Sequence, residues 1–314
     1  DPPSGHGAAR NPESESIIVM DPIAPTDPAA DTARFIDCNG FRLHYRRLGD
    51  GPRLLLLLHG SFLSLRSWRA VMAPLAEAGY TVVAFDRPAF GASSKPLPGA
   101  DGQPGYSAHD QSALIAALIP ALGFERAVLV GNSTGGTLAL MTALEHPERV
   151  EALALVDAMI LSGYATSEIP GFVKPLMRAL TPFFSWLMGR LIARLYDKAI
   201  RAFWYRPERL DPEVLAAFRA DMMQGPWPRA FWELFLATRK LGLEPRLAGV
   251  TPPTLVVTGA HDQTVKVAES ERIAAAIPGA RLEVIADSGH LPHEESPQAF
   301  VATLTDFLQT LPEH

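Results

Sequence analysis

An α/β fold is what this sequence predicts: a mostly parallel sheet covered by helices, with a helical block inserted between two of its strands. Three observations carry the prediction. Short, continuously apolar runs recur along the chain, the pattern of strands buried on both faces. Helical periodicity fills most of the intervals between them, and such alternation marks parallel crossover units. The alternation stops between Asp157 and Thr254, where only helical patterns are found.

Taken in order, residues 1–33 are rich in Pro, Ala, Ser and Asp and predict an extended or flexible tail. The short "IIVM" within it could dock on the body. Ordered structure is expected from about residue 34. "FRLHYR" alternates beside Asn39–Gly40, a hairpin signal. "RLLLLL" (53–58) reads as a fully buried strand, followed by "TVVAF" (81–85), "AVLVG" (127–131), "ALALVD" (152–157), "TLVVTG" (254–259) and "RLEVI" (281–285). Helical patterns cover 67–78, 108–122, 134–145, 267–277 and 297–310. The core is therefore 34–157 and 251–314, and the helical block is 158–250. Inside the block, Asp211 followed by Pro212 reads as a cap and first turn. The block holds four of the five tryptophans, which suits either a second small core or a lid over an apolar pocket. Phe62, Trp186, Trp204 and Trp227 are the expected substrate-facing aromatics.

The bulk properties narrow the function. The chain has 314 residues, 47% of them hydrophobic, and a formal charge of -6 without a long basic run, which argues against a nucleic-acid partner. A small apolar substrate fits better. With Cys38 as its one cysteine, the chain has no intrachain disulfide and no Cys-based metal cluster, and a buried, inert thiol is expected there. No apolar run reaches the roughly 18 residues of a membrane span. A cytoplasmic location is favoured over export, but a chain that does not begin with Met leaves an upstream signal or anchor open, and a homodimer is also open.

The chemistry is carried by Gly131-Asn132-Ser133-Thr134-Gly135. It matches G-x-S-x-G between a strand and a helix, where a sharp turn strains the serine and lifts its hydroxyl above the sheet. A serine nucleophile needs a base, and the base needs a carboxylate. His290 lies in the loop after the last predicted strand and Asp262 in the loop after the preceding one, both at carboxyl ends of parallel strands. His261 and His293 are rivals for the base. His290 is preferred because it leads directly from the strand through Gly289. Asp157 rivals Asp262, which strand order favours, and Asp287 is expected to shape its turn. The backbone N–H groups of Ser61 and Thr134 are the expected oxyanion donors, with Phe62 a second candidate. His59 is expected to be structural.

With these residues the chain resembles the α/β-hydrolase fold superfamily over roughly 34–312. The resemblance rests on "HGS" at 59, "FDRPAFGAS" at 85, "LVGNSTGG" at 129, "EHPERV" at 145, "LVVTGAHDQTV" at 255 and "ADSGHLPHEESPQAF" at 286. It implies eight mostly parallel strands, a cap between the sixth and seventh, and Ser133, His290 and Asp262 as the triad, with no metal or cofactor. Haloalkane dehalogenases and epoxide hydrolases of this fold carry Asp at the nucleophile position, which Ser133 disfavours. Carbon–carbon bond hydrolases often read G-N-S-x-G-G, as here, but usually follow the HG with a glycine-rich stretch, where this chain has Ser61-Phe62-Leu63. Cofactor-free haloperoxidase-like esterases match that region more closely. A carboxylesterase acting on hydrophobic esters is therefore expected. The alternatives are a carbon–carbon bond hydrolase, lactonase or amidase with the same triad, and a ligand receptor on the same scaffold.

Overall fold

The computed structural model describes residues 34–97 and 105–312. By its contacts the chain divides after Thr32, so the described residues all belong to the second unit. The predicted tail over 1–33 lies outside them.

The chain opens with a hairpin. β1 (Arg34–Cys38) and β2 (Phe41–Leu48) pair antiparallel about Asn39 and Gly40, both at positive φ (45° and 78°). Asn and Gly suit those angles, which a β-branched residue would resist. There follow β3 (Leu54–Leu58), α1 (Arg69–Glu77), β4 (Thr81–Phe85), α2 (Ala108–Ala121), β5 (Ala127–Asn132), α3 (Thr134–Glu145) and β6 (Val150–Val156). The helical block supplies α4 (Lys174–Ala179), α5 (Thr181–Arg201), α6 (Pro212–Met222) and α7 (Trp227–Leu236). The chain returns to the sheet with β7 (Thr254–Gly259), α8 (Val267–Ala276), β8 (Arg281–Ile285), α9 (Pro292–Glu295) and α10 (Pro297–Gln309). The eight strands form one sheet in the order β1-β2-β4-β3-β5-β6-β7-β8, and from β4 to β8 every pairing is parallel.

The leucine run of β3 shows why such a strand is apolar throughout. Leu54, Leu56 and Leu58 join one core, and Leu55 and Leu57 join the other, as the two-residue strand period requires. α2, α3 and α8 contribute to the first core, and α1 and α10 to the second. Each fully buried leucine contributes about 1.5–3 kcal/mol over an exposed one.

Asp211 caps α6 by accepting the Glu213 amide at 2.8 Å, and Pro212 starts the helix. The block is tied to the loop after β3 through Asp221, which accepts from Ser64 Oγ (2.8 Å) and Arg66 Nε (2.7 Å). A second tie joins Arg206 and Arg209, ahead of α6, to Asp287 after β8. Asp287 thus anchors the helical block as well as accepting Ser296 Oγ at its carbonyl.

Candidate active site

β5 ends at Asn132 and α3 begins at Thr134, so Ser133 alone makes the turn, at φ 54° and ψ -120°. A non-glycine residue there costs about 1–3 kcal/mol and persists only when its surroundings hold it. Three backbone bonds do so: the Ser133 amide donates to Val156 O (2.9 Å), and its carbonyl accepts from Met159 (3.1 Å) and Thr137 (3.2 Å). The flanking glycines provide clearance. A Cβ at Gly131 would strike the Gly135 carbonyl, and one at Gly135 would strike the Leu58 carbonyl.

His290 Nδ1 pairs with Asp262 Oδ2 at 2.7 Å, and both side chains are buried. The other oxygen of Asp262 accepts the amides of Thr264 (2.6 Å) and Val265 (3.1 Å). With Nδ1 engaged, Nε2 is the ring nitrogen of His290 left without Asp262. The His290 loop is fixed from two sides. Asn132 Nδ2 donates to His290 O (3.0 Å), and the His290 amide donates to Phe203 O (2.8 Å). Asn132 therefore binds the serine turn to the histidine loop. Its role is not readable from the motif, where it occupies the variable position; the only hint is a buried amide at a strand end.

Ser133 and His290 border one cavity of about 250 Å³, together with Ser61 and Thr134. Thr134 is the first residue of α3, so its N–H is among those a helix leaves without an internal partner. Ser61 Oγ and Thr134 Oγ1 lie 3.0 Å apart, and the buried Arg87 donates to Thr134 Oγ1 at 2.9 Å. Burial pulls the Arg87 pKa down to about 10, which leaves it cationic at neutral pH. The Arg87 amide donates to His59 Nε2 (3.0 Å), so His59 carries its proton on Nδ1 and donates it to Gly60 O (2.7 Å). Burial, with Arg87 beside it, pushes the His59 pKa down to about 3, and this ring is a neutral backbone bridge.

The apolar wall consists of Phe62, Leu63, Met159, Tyr164 and Phe203. Phe62 is where the sequence analysis places it, at φ 66°. The three tryptophans are elsewhere. Trp186 is 56% exposed on the outer face of α5, Trp204 packs on Phe218 of α6, and Trp227 packs beside Gly189 of α5. Trp204 and Trp227 are spent on packing within the helical block. Phe203 takes the place at the cavity, its ring 5.1 Å from that of His290. Phe203 and Trp204 are adjacent in the turn after α5, and no periodicity decides between two adjacent aromatics.

The rival side chains take other positions. His261 stacks on Tyr205 at 3.6 Å. Asp157 stands behind the pair: ligand atoms of Asp157, Asp262 and His290 lie within 4.8 Å of one another. Asp157 Oδ1 accepts from Thr258 Oγ1 (2.7 Å) and the Gly259 amide (3.2 Å), while Oδ2 is buried without a partner. Burial, reinforced by the charge of Asp262, pushes the Asp157 carboxyl well above the usual range. Both effects favour the protonated carboxyl over the carboxylate.

His293 is buried with neither ring nitrogen hydrogen-bonded and stacks on Trp68 at 4.1 Å. Burial, with His290 and Arg69 adding repulsion, pushes its pKa down to about 3. A depressed histidine contributes stability above its unfolded pKa of about 6.5 and loses it as pH falls toward 3. His293→Phe keeps the stack and removes the titration. The stability difference between the variant and wild type should therefore lie about 2 kcal/mol further in the variant's favour at pH 5 than at pH 8. Thermal melts of both proteins at the two pH values check this. An equal difference at both would show that His293 does not titrate on unfolding.

Comparisons with known proteins follow the same outline. The family model described as alpha/beta hydrolase fold matches residues 53–297. The chain is 32% identical over 295 residues to the dihydrolipoyllysine-residue acetyltransferase component of an acetoin cleaving system from Cupriavidus necator, covering 91% of this chain and 71% of that one. It is 28% identical to 2-hydroxy-6-oxo-6-phenylhexa-2,4-dienoate hydrolase from Comamonas testosteroni, covering 87% and 93%. A hydrolase structure from Pseudomonas aeruginosa PA01 superposes with a TM-score of 0.70 at 30% identity, covering 89% and 99%.

Proposed function

The chain belongs to the alpha/beta hydrolase fold family, and we propose that it is a serine hydrolase of small, neutral carboxylic esters. The observation that carries this reading is the strained Ser133 on the same cavity as His290, whose far nitrogen is paired with Asp262. In the proposed cycle, Ser133 Oγ attacks the ester carbonyl carbon while its proton passes to His290 Nε2. The carbonyl π electrons move onto oxygen, where the amides of Thr134 and Ser61 receive the charge. Asp262 stabilises the imidazolium that forms. The C–O bond to the alcohol then breaks, and His290 returns the proton to the leaving oxygen. Water attacks the acyl-serine with His290 as base, and the acid departs as Ser133 regains its hydrogen. The helical block serves as the cap, with Phe203 among its contacts to the histidine loop.

The same serine chemistry cleaves dienoate carbon–carbon bonds, and the dienoate hydrolase of Comamonas testosteroni is a relative. Such a substrate brings a carboxylate. The cavity lining includes no Lys or Arg, and Arg87 lies behind Thr134. That favours neutral esters.

The test is a fluorophosphonate probe combined with a substrate panel. We expect the probe to label Ser133, located by mass spectrometry, and nitrophenyl esters of short and medium acyl chains to turn over faster than a lactone or a dienoate. Labelling at Ser133 with faster dienoate cleavage would move the assignment to carbon–carbon bonds. Tight ligand binding with no turnover of any panel member would make the protein a receptor.

A further inference from the structure

The first half of α5 packs on the protein through small and polar residues and its second half through Tyr196 and Ile200, while large apolar side chains also point outward along its length. Thr181, Ser185 and Gly189, four residues apart, are buried. Thr181 Oγ1 accepts from Trp232 Nε1 of α7 (3.1 Å), and a Cβ on Gly189 would come within 2.8 Å of Pro228. On the outer side Phe183, Trp186, Leu187, Leu191 and Leu195 are exposed, and α4 and its flanks extend the surface through Phe172 (87% exposed), Leu176 (60%) and Leu180. A helix at a water-facing surface ordinarily carries polar and charged residues on its outer face. An apolar surface of this extent marks an interaction site.

The charges specify the partner. Between Glu168 and Glu208 the only acid is Asp197, and it is paired with Arg219 at 2.8 Å. Among the described residues, Lys174, Arg178, Arg190, Arg194 and Lys198 have no carboxylate partner. Arg190 lies over the Trp186 ring at 5.8 Å. A chain with a formal charge of -6 thus carries a locally cationic apolar face. α5 has 21 residues, roughly 32 Å of helix, and would be long enough to span a bilayer core. Its charges forbid that, and no described helix is long and apolar enough to cross a membrane. Aromatic and leucine side chains interleaved with Arg and Lys describe a helix lying in the plane of the lipid interface.

We propose that the outward face of α4 and α5 docks on an anionic phospholipid bilayer. Phe172, Phe183, Trp186 and Leu187 enter the headgroup–acyl boundary. Arg190 and Arg194 lay their stems along the apolar surface and carry their guanidinium groups to lipid phosphates. A second copy fits this face poorly, since a two-fold contact would set its cations against themselves. Residues 1–33 offer only Ile17, Ile18, Val19, Met20 and Ile23 as large apolar side chains, too few to cover it. α5 also links the docking face to the cavity. From the inner face of α5, Tyr196 donates to Phe62 O at 2.7 Å, and Phe62 lines the cavity. None of this depends on which bond Ser133 attacks.

Cosedimentation of the full chain with phosphatidylcholine vesicles, with and without about one-third phosphatidylglycerol, tests the proposal. The protein should sediment with the anionic vesicles and be released by salt. Arg190→Gln with Arg194→Gln should lower the partition roughly 30-fold, about fivefold per cation. Leu187→Glu with Leu191→Glu should abolish it. All four positions are exposed, so the melting temperatures should stay at the wild-type value. The proposal is overturned if the full chain ignores anionic vesicles or binds neutral ones equally well. Binding that emerges only after removal of residues 1–33 would assign the face to that segment. A dimer in sedimentation velocity that the Leu187→Glu, Leu191→Glu pair disperses would assign it to a second copy.

Discussion

Replacing Ser133 with Gly should abolish turnover and raise the melting temperature at the same time. The two effects have separate causes. The hydroxyl is the proposed nucleophile, and its removal should lower kcat by about 10⁵-fold or more, as loss of a nucleophile does in serine hydrolases generally. The backbone at φ 54° and ψ -120° is a cost that any side chain with a Cβ incurs. Glycine relieves about 1–3 kcal/mol of that strain and gives back up to about 1 kcal/mol through its freer unfolded chain. The net is a gain of a few degrees for a domain of this size. Ser133→Ala separates the causes, because it removes the hydroxyl and retains the strain. It should lose the same activity with the melting temperature unchanged. Kinetics on a nitrophenyl ester and calorimetry of the three proteins decide the matter. If the Ala variant keeps activity within tenfold of wild type, Ser133 is not the nucleophile. If the Gly variant melts lower, the surrounding bonds do not hold the turn under strain.

What the sequence makes legible here follows from how local each signal is. The runs at β3 to β7 are contiguous because those parallel strands are buried on both faces, so they stand out without knowledge of their neighbours. The turn at Ser133 is legible for the same reason, since Gly131 and Gly135 serve contacts that lie within or directly beside it. The direction in which α5 faces is not local. Phe183, Trp186 and Leu187 make an apolar stripe like one that faces a core, yet the helix buries Thr181, Ser185, Gly189, Tyr196 and Ile200 instead. The displacement of Trp186, Trp204 and Trp227 from the cavity has the same origin. Asn132, Phe203 and Tyr164 reach the site through three separate segments, and nothing in their spacing announces the meeting. Strand ends place Asp157 and Asp262 at the same sheet edge, but their proximity behind His290 is a property of the β6–β7 pairing.

That proximity separates two substitutions that look alike on paper. Asp262→Asn should lower kcat by about 10³–10⁴-fold, because an amide can offer N–H to His290 Nδ1 and favour the wrong tautomer. Asp157→Asn should leave activity within a few-fold of wild type. The Asp262 charge and burial favour its protonated form, and the amide supplies a neutral donor on one side and the acceptor for Thr258 and Gly259 on the other. Asn also tolerates the positive φ of 44° at this position. Stability supplies an independent readout. A carboxyl whose folded pKa is raised contributes its full stability below the unfolded pKa of about 3.9 and loses it as pH climbs through the folded value. Asn has no charge to acquire. The melting temperature of Asp157→Asn should therefore match wild type near pH 4 and exceed it progressively toward alkaline pH. If Asp157→Asn instead costs as much activity as Asp262→Asn, with no widening of the melting difference, then Asp157 carries the charge that steadies His290 and the two carboxylates exchange roles.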